Sequence, residues 1–302
     1  MENEFLLKKN GQAILNMSKI LIGLENGSRM DSIPTYSERF GLSVGTIQKA
    51  MKFLEEKGLV IFERKGYLGT IAQEIKYDKL INFAGFNNLV CVMPLPYSKR
   101  YEGLATGLKK VFLNKKIDFY FAYMGGSDVR IDFLEKGRCD FIIISKLAML
   151  EALKQGKNIE GAYKFGEGTY VGKHVLLKGK EKNIKRIGID STSRDQYLLT
   201  LDYFKDKNPE YVEIDYNKIP KLLQRNIIDA AVWNLDEIIE QNMDISYEEL
   251  PNEKMVKLAN EAVLVVKKDN ELLKSIADKI ISKDYIIKIQ KDILDGSLFP
   301  SY

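Results

Sequence analysis

The chain has 302 residues, enough for two or three domains that each have a hydrophobic core. A hydrophobic fraction of 45% and a charged fraction of 29% are ordinary for a soluble globular protein. The net charge of +4 is small, so it neither requires nor excludes a nucleic-acid partner.

Cysteine and histidine are scarce. Cys91 and Cys139 lie in separate apolar runs, as buried free thiols do, and His174 is the only histidine. This composition excludes a disulfide framework and argues against a zinc site or a Ser-His-Asp enzyme. The sequence also lacks a paired-carboxylate motif, a nucleophile elbow and a phosphate-binding loop. We therefore expect a protein that is not an enzyme and that has no cofactor and no metal.

The first residues, MENEFLLKKNGQ, differ from an export signal, and no apolar run reaches the length of a membrane span. We expect a cytoplasmic protein with no membrane partner.

The N-terminal quarter of the chain is predicted to be helical and then to form a hairpin. Residues 14–27, ILNMSKILIGLENG, read as an amphipathic helix. Pro34 suits the first turn of the next helix, and Thr35 with Glu38 has the spacing of a capping box. Gly41 can end that helix in the left-handed conformation.

A third helix follows a tight turn, and Ser43 is its predicted N-cap. Apolar residues recur along SVGTIQKAMKFLEEKG at helical spacing. The predicted buried face consists of Val44, Ile47, Ala50, Met51 and Leu54.

The exposed side of this helix and the hairpin after it suggest a DNA-binding surface. The two apolar runs of LVIFERKGYLGTI flank Arg64, Lys65 and Gly66, as in a wing whose tip lies near the phosphate backbone. Helix-turn-helix proteins place the first residues of their second helix against the bases of DNA. The predicted DNA-binding residues are Thr35, Ser43, Gly45, Thr46, Gln48, Lys49, Arg64 and Lys65. The alternative is a winged helix that serves only protein contacts or dimerisation.

Residues 11–72 resemble the DNA-binding domain of the GntR-like regulators. That family usually carries more arginine at the start of the recognition helix, where this chain has Val44, Gly45 and Gln48. The resemblance implies a winged helix-turn-helix that binds double-stranded DNA.

Strands and helices alternate along the rest of the chain. The lengths of these elements favour parallel sheets with right-handed crossovers. The first set of predicted strands is 89–93, 118–124 and 140–145, and the second is 186–190, 211–215 and 228–234. A strand at 261–269 is predicted to return to the first set, and two helical segments follow it. The sequence thus predicts an α/β domain of two lobes.

Two such lobes resemble a periplasmic-binding-protein-like domain, a form shared by the effector domains of LysR-type regulators. The segments FLEKGRCDFIII and LLQRNIIDAAVWN carry this likeness, one in each lobe. The combination with a winged helix resembles the YhfZ-type transcriptional regulators, and it implies a transcription factor with a ligand-sensing domain. The predicted domains are 1–76 and 77–302, with a first lobe of about 86–165 plus 261–302 and a second lobe of about 166–260.

Ligands of open α/β sheets bind beyond the carboxyl ends of the strands, near helix N-termini. Exposed N–H groups at such ends favour an anion. The predicted ligand-binding residues are Tyr97, Ser98, Gly125, Gly126, Ser127, Ser145, Ser191, Thr192, Ser193, Arg194 and Asn234. Three alternatives stay open: the serines can simply cap a helix, the glycines can form only a turn, and nearby Asp128 and Asp195 can select an amine.

The sequence is best interpreted as a regulator that senses a small, anionic metabolite. We expect a homodimer, because paired winged helices read two half-sites of an operator. One alternative is a winged-helix protein whose second domain serves only assembly. The other is an enzyme on a two-lobed scaffold, since a fold does not decide function.

Overall fold

The computed structural model describes residues 8–96, 98–180 and 183–302, without the side chain of Leu68. The chain divides into two compact units. One contains the residues up to 89 together with 112–118 and 270–281, and the other contains residues 90–111, 119–269 and 282–302.

Helices and strands alternate over most of the described chain. The helices are α1 (Lys9–Ile22), α2 (Ile33–Phe40), α3 (Val44–Glu56), α4 (Tyr77–Phe83), α5 (Lys99–Leu113), α6 (Ser127–Glu135), α7 (Lys146–Lys154), α8 (Arg194–Phe204), α9 (Ile219–Gln224), α10 (Leu235–Glu240), α11 (Glu253–Asn260), α12 (Glu271–Ile280) and α13 (Lys283–Leu294). The strands are β1 (Ser28–Arg29), β2 (Val60–Arg64), β3 (Thr70–Ile75), β4 (Asn88–Met93), β5 (Asp118–Tyr123), β6 (Phe141–Ser145), β7 (Ile159–Gly166), β8 (His174–Lys178), β9 (Arg186–Ile189), β10 (Glu210–Glu213), β11 (Ala230–Asn234), β12 (Ser246–Glu249) and β13 (Ala262–Lys267).

The start of α2 differs from the predicted capping box. Ser32 is the N-cap, and its hydroxyl accepts a hydrogen bond from the Thr35 N–H at 3.3 Å. Thr35 is therefore the third residue of the helix, where its own N–H needs an acceptor. Pro34 lies in the first turn and Gly41 ends the helix with a φ of 62°, as the sequence predicts.

Ser43 caps α3 as predicted, and its hydroxyl accepts from the Thr46 N–H at 3.2 Å. The buried residues of α3 are Ile47, Ala50, Met51 and Leu54. Val44 was predicted to share this face, but it is 41% exposed. It is the first residue of the helix, and the turn there leaves its side chain open to solvent.

A three-stranded sheet completes the winged helix. Strands β2 and β3 pair as an antiparallel hairpin that closes through a short 3₁₀ turn at Gly66–Leu68. The sequence prediction missed β1, a two-residue strand that pairs Ser28 with Ala72 and sets the order β1-β3-β2. The winged helix-turn-helix prediction is confirmed.

Helix α12 belongs to the same compact unit as the winged helix and packs against α1 and α4. It buries Leu273, Ile276, Ala277 and Ile280. The ammonium of Lys279 lies 5.1 Å from the centre of the Tyr77 ring. A segment from the C-terminal part of the sequence thus contributes to the N-terminal unit, and the predicted domain bounds stay a prediction.

The second unit contains two five-stranded sheets, in the orders β5-β4-β6-β13-β7 and β10-β9-β11-β8-β12. Parallel pairing, which the sequence predicts for the strands of each set, is confirmed for β4 with β6 and for β9 with its two neighbours. Strand β13, in contrast, runs antiparallel to β6 and β7. Strand β8 likewise runs antiparallel to β11 and β12. These two strands are antiparallel to their neighbours because the chain crosses twice between the lobes. Strands β8 and β13 are each the first strand after a crossing, so each enters its sheet from the opposite lobe and runs in the reverse direction.

The two segments that cross between the lobes lie side by side and hydrogen-bond to each other. The Tyr170 N–H donates to the Asn260 carbonyl at 2.9 Å, and the Asn260 side chain donates to the Gly172 carbonyl at 3.0 Å. The Thr169 hydroxyl accepts from the Ala262 N–H at 3.1 Å. These bonds fix the crossing point without filling the space between the lobes. Within the described part of the chain, no helix has the length and apolarity needed to cross a membrane.

Candidate functional site

The outer surface of α3 presents three of the predicted DNA-binding residues to solvent: Gly45, Gln48 and Lys49 are exposed. Two other predicted residues, Ser43 and Thr46, stabilise the start of the helix, because their hydroxyls hydrogen-bond to each other at 2.8 Å. The free polar side chains on this surface are therefore those of Gln48 and Lys49. Thr35 is exposed on the preceding helix, where its hydroxyl contacts that of Ser32 at 2.7 Å.

The wing carries cations that already have acidic partners. The Arg64 guanidinium donates to the Glu55 carboxylate at 2.8 Å, and the Lys65 ammonium lies 3.3 Å from the carboxylate of Glu63. Tyr67, which the sequence prediction did not select, lies at the tip of the wing and is 92% exposed. The carboxylate of Glu55 raises the pKa of Arg64 through its hydrogen bond. The wing therefore presents less free positive charge than its sequence suggests.

A cavity of about 280 Å³ lies between the two lobes, at the carboxyl ends of the strands. It is near the small end of the range for small-molecule sites. Of the predicted ligand-binding residues, it brings together Gly125, Gly126, Ser127, Thr192 and Ser193. The other lining residues are Pro94, Leu95, Arg130, Tyr170, Asp190, Asp195, Asp215, Tyr216 and Asn217.

Some of these other lining residues could have been selected from the sequence. Pro94, Leu95 and Asp195 lie in segments that follow predicted strands, which is the position from which the ligand-binding residues were chosen. Arg130 and Tyr170 could not have been, since the first lies inside a helix and the second in the crossing segment. Only tertiary packing turns these two side chains toward the cavity.

The remaining predicted residues lie elsewhere, and Tyr97 falls outside the described residues. Ser98 is 2% exposed, and its hydroxyl has no hydrogen-bond partner among the described residues. The Ser191 hydroxyl donates to Glu213 at 2.7 Å, at the surface. Asn234 caps α10 by accepting from the Asp236 N–H at 2.9 Å.

Arg194, which was predicted to bind an anion, instead joins the lobes. Its guanidinium donates to the carboxylate of Asp128, which belongs to the first lobe. Its backbone N–H donates to the Ser127 hydroxyl at 3.2 Å. The predicted anion receptor thus already has an anionic partner from the protein.

Two further contacts connect the lobes near the N-terminus of α5. The Arg100 guanidinium donates to the Asp236 carboxylate at 2.9 Å, and the Lys99 N–H donates to the Glu240 carboxylate at 3.0 Å. Both pairs join the first lobe to α10 of the second. The lobes are therefore in contact on the α10 side of the cleft as well as at Arg194.

Ser145 and Asp195 form a buried bridge between the lobes. The Ser145 hydroxyl accepts from the Ala148 N–H at 2.9 Å as the N-cap of α7, and it donates to Asp195 Oδ1 at 2.5 Å. Burial raises the pKa of Asp195 to about 7, against the opposing effects of the Ser145 hydroxyl and the Arg130 charge. Ser145 was predicted to bind ligand, and its position makes it a contact between the lobes.

Arg130 is buried beside the cavity, and all three guanidinium nitrogens have a protein acceptor. Nε donates to the Ile143 carbonyl at 3.1 Å, Nη1 to the Met124 carbonyl at 2.6 Å and Nη2 to the Tyr170 hydroxyl at 3.0 Å. Burial raises the pKa of Tyr170 to about 12, so its hydroxyl stays protonated. Arg130 therefore connects α6 to the strand ends and to the crossing segment.

Asp190 organises the loop that forms the opposite wall. Its Oδ1 accepts from the N–H and the hydroxyl of Thr192, at 2.9 and 2.7 Å, and from the Ser193 N–H at 3.2 Å. Its Oδ2 accepts from the Tyr216 N–H at 2.9 Å. These four bonds use the accepting capacity of the carboxylate, so Asp190 shapes the wall of the cavity.

Comparison with known proteins identifies the family. The family model described as the YhfZ C-terminal domain matches residues 76–302, and a helix-turn-helix domain model matches residues 25–72. The YhfZ protein of Escherichia coli (strain K12) is 33% identical over 299 residues, which covers 98% of each protein. The chain belongs to the YhfZ family.

Solved structures agree with this assignment. The crystal structure of YhfZ from Shigella flexneri is similar with a TM-score of 0.65 and 34% identity, over 74% of this chain and 97% of that one. The amino acid ABC transporter substrate-binding protein AbpA of Streptococcus pneumoniae is similar with a TM-score of 0.51 and 17% identity, over 70% and 97% of the two chains. At that identity the likeness shows the fold alone. The predicted YhfZ resemblance and the two-lobed binding-protein-like fold are both confirmed.

Proposed function

We propose that this member of the YhfZ family is a cytoplasmic, homodimeric transcription regulator that binds operator DNA and a small-molecule effector. The observation that carries the proposal is a helix-turn-helix domain in the same chain as a cavity of about 280 Å³ that lies between two lobes. The first points to double-stranded DNA, and the second to a small ligand held where two lobes meet.

The effector favours the closed arrangement of the lobes because both lobes supply walls of the cavity. Gly126 and Ser127 belong to the first lobe, and Thr192 and Ser193 belong to the second. A ligand that touches all four binds the closed arrangement more tightly than an open one, and it shifts the population accordingly. DNA affinity then changes to the extent that the closed and open arrangements bind DNA differently.

Gln48 and Lys49 are the side chains that we assign to base and phosphate contacts, because both are exposed on α3 and have no task in its capping. Arg64 and Lys65 of the wing are assigned to phosphates. A dimer supplies two such surfaces for the two halves of an operator. The anionic character predicted for the effector has less support than the cavity itself, since the side chain of Arg194 is paired with Asp128.

The test is a gel-shift assay of the full-length protein with the DNA upstream of its own gene, at two salt concentrations. We expect a specific shift that weakens with salt, because phosphate contacts release counterions. Gln48→Ala should change the preference among operator variants, whereas Gln224→Ala, an exposed glutamine of the second lobe, should not. The absence of a specific shift at both salt concentrations would contradict DNA regulation and favour a winged helix used for protein contacts.

A further inference from the structure

The charges that line the interlobe cavity are mostly negative. Among the described lining residues, Arg130 is the one cation, whereas Asp190, Asp195 and Asp215 supply three carboxylates. A cavity with this excess of carboxylates attracts a positive group and repels an anion.

The groups that could receive an anion are committed to the protein. The nitrogens of Arg130 donate to two backbone carbonyls and to the Tyr170 hydroxyl. The guanidinium of Arg194 is held by Asp128, and the N–H groups of Thr192 and Ser193 donate to Asp190. An anionic ligand would have to break these bonds to be bound by either arginine or by these two N–H groups.

The carboxylate of Asp195, in contrast, retains accepting capacity. Asp195 is 6% exposed; the Ser145 hydroxyl donates to its Oδ1, and a backbone hydrogen bond from Ala148 also lowers its pKa. A buried carboxylate accepts up to about four hydrogen bonds, so this group can take more from a ligand. The carboxylate of Asp190 has no such capacity left, because the surrounding loop already fills its acceptor positions. The carboxylate of Asp215 is exposed and paired with Lys218.

The same cavity also has two aromatic side chains in its lining. Tyr170 and Tyr216 both line it; burial is the main cause of the raised pKa of each phenol, and the charge of Asp195 is a smaller one. Aromatic faces attract ammonium and guanidinium groups, and they contribute more when water is excluded.

We propose that the effector carries a protonated amino or guanidino group, which pairs with Asp195 inside the interlobe cavity and lies against Tyr170 and Tyr216. The inference rests on the proposed function, because it assigns a chemical class to the ligand of that cavity. It replaces the anion that the sequence suggested with an organic cation or a zwitterion.

The experiment compares ligands that share a four-carbon chain and differ in charge: 1,4-diaminobutane, 4-aminobutanoate and succinate. The set is extended with the twenty common amino acids and a panel of small dicarboxylates and sugar phosphates. Binding to the full-length protein is measured by calorimetry and by the rise in unfolding temperature, which a ligand of the native state produces. We expect saturable binding confined to compounds with a protonated nitrogen.

Asp195→Asn keeps the shape of the side chain and removes its charge, so it should weaken the best amine at least about tenfold, by loss of a buried charge pair. Asp128→Asn is the matched control: it removes a carboxylate from the contact between the lobes, and this carboxylate does not line the cavity. It should weaken the same amine clearly less than Asp195→Asn does. Equal losses in the two variants would overturn the role of Asp195.

The two proposals fail in different ways. Binding of anions without amines would overturn the cation inference and leave ligand sensing intact. If no compound of the panel bound the wild-type protein, the sensing function itself would be contradicted, and the cation inference would fall with it.

Discussion

The Ser145 hydroxyl of the first lobe donates to Asp195 of the second lobe at 2.5 Å. The same oxygen accepts from the Ala148 N–H, so one serine caps a helix and joins two lobes. Because Asp195 also lines the cavity, the contact between the lobes and the candidate ligand site share a carboxylate. A ligand that binds Asp195 therefore acts directly on a group that holds the lobes together.

Gly126 is a second point of close approach between the lobes, and replacing it should open them. Its φ is +72°, and a Cβ there would lie 2.9 Å from the carbonyl and the hydroxyl oxygens of Thr192. Gly126→Ala should lower the free energy of unfolding by about 1 to 3 kcal/mol, from strain and from the clash. Gly125→Ala is the control, because its Cβ would meet only a side-chain carbon of Leu95 at 3.9 Å. Denaturant unfolding of both variants checks this, and similar losses in the two would contradict the argument.

The pair of Arg194 and Asp128 should contribute measurably to stability. Their side chains are 19% and 34% exposed, so solvent screens them only in part. A double-mutant cycle with alanine should give a coupling energy of about 0.5 to 1 kcal/mol. The Arg39–Asp31 pair, at 47% and 50% exposed, offers a matched comparison within the winged helix and should give a smaller value. A larger coupling for the exposed pair would show that Arg194 does not bridge the lobes in solution.

Glu55 restrains the wing cation, so its removal should strengthen DNA binding. The carboxylate of Glu55 holds Arg64 at 2.8 Å. Glu55→Gln frees Arg64 for a phosphate, and the slope of log affinity against log salt should steepen by about one unit. Glu56→Gln makes the same change in net charge on the same helix, but it releases Lys52 instead. Gel shifts over a range of salt concentrations distinguish the two, and identical slopes would exclude Arg64 from phosphate contact.

Local features of the fold could be predicted, since they depend on neighbouring residues. Ser43, Gly41 and the hairpin around Arg64 follow from short-range capping and turn chemistry. Thr35 failed as a cap because the helix already begins at Ile33, with Ser32 as its N-cap and the Thr35 N–H as the donor to Ser32. The antiparallel direction of β13 was not predicted, because it depends on how the chain crosses between the lobes.

The residues of the candidate site likewise divide into those that local sequence predicts and those that only the fold brings together. Gly125 to Ser127 and Thr192 to Ser193 reach the cavity because loops after strands meet at one edge of a sheet. The partner of Arg194 is 66 residues away in sequence, so no local pattern indicates that its charge is already used. Arg130 and Tyr170 are 40 residues apart and meet only in the folded chain.

The last prediction concerns pH, and it depends on three buried groups. Burial raises the pKa of Glu237 to about 8 and that of Asp195 to about 7, and it lowers the pKa of His174 to about 4. Nearby Glu240 and Asp236 raise the pKa of Glu237 further. The side-chain oxygen Oε1 of Glu237 has no hydrogen-bond partner in the described part of the chain, so nothing there offsets the cost of its charge.

The two carboxyl groups and His174 act in opposite directions below pH 6.5. Between their ordinary and raised pKa values, the carboxyls hold protons in the folded chain that the unfolded chain releases, so stability falls as pH rises. His174 takes up a proton only on unfolding between about pH 4 and 6.5, so its contribution rises with pH there. Above pH 6.5 the carboxyl groups dominate, and we expect the free energy of unfolding to fall by about 1 to 2 kcal/mol between pH 6.5 and 8.

Glu237→Gln should remove most of this fall, because the amide is isosteric with the carboxyl group and does not ionise. Glu253→Gln, at the exposed start of α11, is the matched control and should keep the wild-type slope. Urea unfolding of the three proteins at half-unit steps of pH measures the effect. A wild-type stability that is flat or rising between pH 6.5 and 8 would contradict it, and so would a Glu237→Gln variant with an unchanged slope. If the slope disappears with Glu237→Gln, the buried carboxyl group is ionising inside the fold, and the charge beside α10 depends on pH near neutrality.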